Sequence, residues 1–87
     1  MYTVRILSSA TRELERLDVT VGRRLVHRIQ QMAADAAQHR HEALSGDLSG
    51  FYKLRIGDYR VIYELLHSEH CVLIHAIQHR RNVYRKP

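Results

Sequence analysis

Residues 51–77 read FYKLRIGDYRVIYELLHSEHCVLIHAI, and the interpretation of this stretch decides the fold. Two alternating apolar runs, 53–56 and 59–65, flank the dipeptide Gly57-Asp58. Such a connection signals a tight hairpin, because glycine supplies the positive φ that a primed turn requires. With Gly57 and Asp58 as the loop, Ile56 pairs with Tyr59, Arg55 with Arg60, Leu54 with Val61, and Lys53 with Ile62. Side chains alternate across a sheet. Tyr52, Leu54, Ile56, Tyr59, Val61 and Tyr63 therefore share one face, and Lys53, Arg55, Arg60 and Ile62 share the other. Like charges directly opposite each other destabilise a sheet. A chain that sets Arg55 against Arg60, with Lys53 diagonally adjacent, points to use of these cations on a polyanion.

A third strand, residues 71–77, follows through His67-Ser-Glu-His70. If those four residues form the loop, Ile62 faces His75, Arg60 faces Ile77, and Tyr63 faces Ile74. His75 then joins the basic face.

Outward from this meander, residues 2–7 (YTVRIL) predict a short strand from their β-branched and aromatic content. Ser8-Ser9 offers a helix N-cap region, and residues 10–17 predict a short helix with Ala10, Leu14 and Leu17 on one side. Asp18 or Thr20 caps a longer second helix. Along it Val21, Leu25, Ile29, Met32 and Ala36 recur at helical spacing and face a core, with Arg23, Arg24, Gln30 and Gln31 turned outward. Residues 38–50 (QHRHEALSGDLSG) predict a connection, pegged to the core by Leu44 and Leu48. The expected fold is α+β: a small antiparallel sheet, made of the N-terminal strand and the three-strand meander, packed on the two-helix hairpin. A single domain spanning 1–87 accounts for the whole pattern. The Lys53/Arg55/Arg60 face is left open.

Composition narrows the partners. Fourteen Lys and Arg against nine Asp and Glu give a formal charge of +5 over 87 residues, which favours nucleic acid or an acidic protein. No run approaches the roughly 18 apolar residues of a membrane helix, so a cytoplasmic protein without membrane contact is expected. The lone Cys71 reads as a buried free thiol. His39, His41, His67, His70 and Cys71 are metal-ligand types, but their spacing matches no standard structural zinc pattern. No metal and no cofactor are expected.

The runs GFYKLRIGDYRVIYEL and IQHRRNVYRK, with the opening YTVRILSSATRELERL, resemble the RelE branch of the RelE/ParE toxin superfamily across nearly the whole chain. The resemblance implies a cytoplasmic type II toxin that enters the ribosomal A site and cleaves mRNA without a metal. It also implies a cognate acidic antitoxin that wraps and silences the toxin, with operator DNA contacted only through the antitoxin complex. By the same resemblance the catalytic set falls on Lys53, Arg60, Arg80 and Tyr84. Arg55, His75, His79 and Arg81 then bind the substrate. Arg55 stands where the family commonly has lysine, and a guanidinium cannot serve as a base.

The chemistry implied is attack of a ribose 2′-OH on the adjacent phosphate. It needs removal of the 2′ proton, stabilisation of charge on the phosphoryl oxygens, and protonation of the departing oxygen. Arg60 and Arg80 suit the second task, because planar forks bind phosphate bidentately. Lys53 crowded by arginines is a candidate base, with His75 and His79 as rival proton-transfer groups. Tyr84 suits stacking on an unpaired base or orienting the 2′-OH. The alternative is a non-hydrolytic, ParE-like inhibitor of DNA gyrase, for which so full a cationic set has no evident use.

Overall fold

The computed structural model describes residues 1–83. In chain order they form β1 (Thr3–Ile6), α1 (Ser8–Glu15), α2 (Val19–Ala34), β2 (Glu42–Ala43), β3 (Tyr52–Ile56), β4 (Tyr59–Leu66), β5 (Cys71–His79) and α3 (Arg80–Val83). The strands make one sheet in the order β1-β5-β4-β3-β2. Gly57 takes φ 59° at the β3–β4 turn. The resulting ladder sets Ile56 against Tyr59, Arg55 against Arg60, Leu54 against Val61 and Lys53 against Ile62, as the turn residues require.

The α+β expectation holds, with two corrections to the sheet. It is mixed rather than wholly antiparallel: β1 runs parallel to β5, with Thr3 beside Cys71 and Ile6 beside Ile74. The 38–50 connection also contributes a fifth strand, β2, whose Glu42 pairs with Lys53. Strand β5 departs from its expected register midway. Tyr63 faces Ile74, but a bulge at Ile62/Tyr63 then moves Ile62 opposite Ala76 and Arg60 opposite Gln78. His75 is the extra residue, and bulges of this kind re-aim a side chain.

Both helices cover one face. Leu25, Ile29, Met32, Ala33 and Ala36 from the α2 segment and Ala10 from α1 pack against Leu54, Ile56, Val61, Tyr63, Val72, Ile74 and Ile77. The Val21-Leu25-Ile29-Met32-Ala36 stripe thus faces the core as its spacing predicts, and Cys71 is a buried free thiol. Asp18 caps α2 by accepting the Thr20 N–H at 3.1 Å. Helix α1 begins at Ser8 without a side-chain cap, so the Ser8-Ser9 pair lies inside the first turn. Leu48 is 44% exposed and lies outside the core cluster. A histidine fastens the connection instead. His41 Nε2 lies 2.8 Å from the Ala36 carbonyl, which can only accept, so Nε2 carries a proton. In the neutral ring Nδ1 then accepts the buried Tyr63 hydroxyl, at 2.6 Å. Burial, with Tyr52 and Glu42 adding, raises the pKa of that hydroxyl above the ordinary tyrosine value.

Beyond Ile6, β1 no longer accompanies β5. The Ile77 N–H on that side is taken by the Glu13 carboxylate of α1, at 2.9 Å. Substituting Glu13→Ala leaves this half-buried amide without its charged acceptor and should cost about 1–3 kcal/mol. Urea denaturation measures it, and an unchanged midpoint would show that water replaces the carboxylate.

Candidate nucleic-acid cleft at the hairpin turn

The β3–β4 turn is also where the cations gather. Lys53, Arg55, Gly57, Asp58, Tyr59, Arg60 and Arg80 line an open cleft of about 380 Å³. Three features of the chain build it. The hairpin register brings Arg55 and Arg60 to the same rung. The Asp58 carbonyl accepts the Arg80 N–H at 2.7 Å, which ties the start of α3 to the turn. A side-chain bond from Arg60 Nε to Gln78 Oε1, at 3.0 Å, draws that guanidinium toward β5 and eases its opposition to Arg55.

Acidic groups neutralise part of the basic face and leave the cleft charged. Lys53, its side chain only 15% exposed, is paired with Glu42 of β2 at 3.2 Å. The ion pair holds the Lys53 ammonium at the β2 margin of the cleft and occupies one of its donor directions. His75 is on the open face as expected, yet it is bonded to Glu64 at 3.0 Å and packs edge-on against Phe51, away from the cleft lining. Among the described residues the acid–base contacts are the ion pairs Arg5–Glu69 and Lys53–Glu42 and the His75–Glu64 hydrogen bond. None of them uses Arg55, Arg60 or Arg80.

His79 and Arg81 lie just beside the cleft, with Asp58 and Arg80, around a second opening. His79 Nδ1 accepts the Arg81 N–H at 3.1 Å, so this nitrogen is already engaged. Tyr84 lies outside the described residues. Among those residues no cluster of three or more metal-ligating side chains forms.

Sequence reasoning missed three groups that shape the site. Glu42 sits on a strand of two residues, too short to show alternation. Gln78 reaches Arg60 only because the bulge shifts the register. Arg24, read as outward-facing, projects from α2 over the turn, with its guanidinium about 3.3 Å from where a β-carbon on Gly57 would stand.

The chain is similar to known proteins along most of its length. Residues 4–84 match the family described as the ParE toxin of the type II toxin-antitoxin system parDE. The toxin RelE of Mycobacterium tuberculosis is 32% identical over 84 residues, covering 97% of this chain and 87% of that protein. The chain belongs to the RelE/ParE toxin superfamily, in its RelE branch. Among solved structures, the RelBE2 toxin-antitoxin complex of M. tuberculosis superposes with a TM-score of 0.81 at 26% identity, over 91% of this chain and 98% of that one. The RelE-RelB complex of Pyrococcus horikoshii gives 0.72 at 25% identity, over 91% and 94%. The isolated E. coli RelE toxin shares the fold, with a TM-score of 0.75 at 16% identity over 91% and 84%. This chain is accordingly a RelE-like toxin of a type II toxin-antitoxin system.

The Arg55–Arg60 rung gives this RelE-like chain a measurable instability. Arg55→Glu converts the opposition into an attraction and should stabilise the fold by roughly 0.2–1 kcal/mol, toward the low end because Gln78 already turns Arg60 aside. The same substitution should weaken binding of a single-stranded RNA oligonucleotide. Chemical denaturation and a binding titration test the two halves, and a less stable variant would contradict the electrostatic account.

Proposed function

We propose that this toxin is a metal-independent endoribonuclease that cuts mRNA in the ribosomal A site and so arrests translation. The observation that carries the reading is the meeting of Lys53, Arg55, Arg60 and Arg80 at one cleft, with the three arginines unpaired by acid among the described residues. Cations so crowded are relieved by a phosphate, and their planar forks match its oxygens.

In the proposed reaction the 2′-oxygen attacks the adjacent phosphorus while its proton passes to a base. The bond from phosphorus to the 5′-oxygen breaks, and that oxygen takes up a proton. The products are a 2′,3′-cyclic phosphate and a free 5′-hydroxyl. Arg60 and Arg80 hold the phosphoryl oxygens as charge builds on them. Lys53, held by Glu42, adds positive potential at the cleft margin. Arg55 and Arg81 bind neighbouring phosphates. Tyr84 serves as a stacking platform for an unpaired base.

The partner assignment rests on charge and on relatives. RelE proteins of M. tuberculosis and P. horikoshii were solved as complexes with their antitoxins. A chain of formal charge +5 suits the same arrangement with an acidic antitoxin, through which the pair would contact operator DNA. Cytoplasmic action on ribosomes fits the absence, among the described residues, of any helix able to cross a membrane.

One observation favours a second reading, inhibition of DNA gyrase, because the matched family carries the ParE description. Ribosomes programmed with a defined mRNA separate the two. Wild-type toxin is expected to produce cuts at the A-site codon, with Arg60→Ala and Arg80→Ala each slowing them about 10²–10³-fold, in line with the loss of one oxyanion-stabilising donor. Intact message together with blocked gyrase supercoiling would replace the nuclease reading with the gyrase one.

A further inference from the structure

A histidine holds the junction at which β5 passes into α3. His79 is the last residue of β5, and its Nδ1 accepts the backbone N–H of Arg81 at 3.1 Å. This is the arrangement by which an N-cap side chain satisfies the second amide of a helix, a task usually given to Ser, Thr, Asp or Asn. The imidazole also rests edge-on against Tyr59, with ring centroids 4.9 Å apart, and the two residues are opposite each other in the ladder. Between the two anchored positions lies Arg80, whose own N–H is bound to the Asp58 carbonyl at 2.7 Å. The backbone around Arg80 is therefore pinned by the hairpin turn on one amide and by the imidazole on the next.

An amide can only donate, so Nδ1 must present its lone pair. The neutral ring carries its proton on Nε2, and the cationic ring, protonated on both nitrogens, cannot make the bond. The usual capping residues have no such dependence near neutrality. We infer that His79 is a pH-responsive positioning residue: its neutral imidazole caps the chain at Arg81 and thereby fixes Arg80 at the cleft, and protonation releases that hold. The inference rests on the reading of the cleft as a phosphate-cleaving site.

The groups around the ring do not duplicate this response. Among the described residues, those placed beside His79 are Tyr59 of β4, which it meets edge-on, and Asp58, Arg80 and Arg81, which share its opening. Arginine, tyrosine and carboxylate side chains ordinarily hold one charge state over the range in which histidine titrates. Cap formation requires the deprotonated ring, so acidification can only remove this bond and never create it.

Wild type, His79→Asn and His79→Ala are compared in the ribosome cleavage assay between about pH 5.5 and pH 8, a span that covers histidine titration. Asparagine caps without titrating there. The Asn variant should lose less of its own alkaline rate on acidification than wild type does. The Ala variant should be slower by about tenfold, chiefly in kcat. In parallel, the exchange protection of the Arg81 amide is followed by NMR on the isolated toxin. It should fall with acidification in wild type and hold in His79→Asn. An Asn variant as inactive as Ala, with its Arg81 amide still protected, would mean that the imidazole itself transfers a proton and would overturn the inference. So would a wild-type amide equally protected at both ends of the range. Should wild type cleave nothing, the nuclease reading fails, and the amide measurement still decides whether His79 is a pH-dependent cap.

Discussion

The site depends on one turn of backbone. Gly57 takes a positive φ that few residues tolerate, and with Asp58 it closes β3 onto β4 in a single register. That register puts Arg55 and Arg60 on one rung. The Asp58 carbonyl then captures the Arg80 N–H from a segment more than twenty residues away. Two of the cleft's cations are thus positioned by the hairpin ladder and a third by a main-chain bond to the hairpin tip. Helix α2 closes over the same point, where Arg24 occupies the space beside Gly57. A β-carbon at position 57 would meet that guanidinium as well as an unfavourable backbone angle.

Charge on the open sheet face is distributed with a clear division. Away from the turn, basic groups are given acids: Lys53 pairs with Glu42, and His75 is hydrogen-bonded to Glu64. Toward the turn, Arg55, Arg60 and Arg80 have none among the described residues, although Gln78 steadies Arg60 through a neutral bond. A neutral clamp orients a guanidinium without quenching its field, which is what an anion site needs from its supporting shell. The pairing of Lys53 also changes its chemical meaning. Its ammonium is held at 3.2 Å by a carboxylate, an engaged donor rather than a free one.

Much of this was legible in the chain itself, for identifiable reasons. A Gly-Asp dipeptide between alternating runs fixes a hairpin to the residue, and a stripe at 21, 25, 29, 32 and 36 fixes the buried side of a helix. Local chemistry speaks directly in both cases. The parallel pairing of β1 with β5 was not legible, because the direction of a distant neighbour is set by packing rather than by local pattern. Nor was the bulge at Ile62/Tyr63 signalled, since nothing in VIYELL or LIHAIQ marks an extra residue. From that single slip follow the displacement of His75 from its expected partner and the pairing of Arg60 with Gln78. The Glu42–Lys53 pair escaped notice because β2 offers too few residues for alternation to register. His79 was visible as a candidate, but its use as a cap depends on a backbone turn that composition does not encode.

The brevity of β2 leaves part of one sheet margin uncovered. It covers β3 only at Tyr52 and Lys53, so the outer margin of β3 from Leu54 onward carries unpaired main-chain groups among the described residues. Such margins invite strand addition by a neighbouring molecule. Here the centre of the bare stretch is Arg55. Two copies docking edge-to-edge in antiparallel fashion about that residue would set guanidinium against guanidinium. The cation that strains the hairpin internally thus also discourages self-association along the one side of the sheet that β2 leaves unguarded.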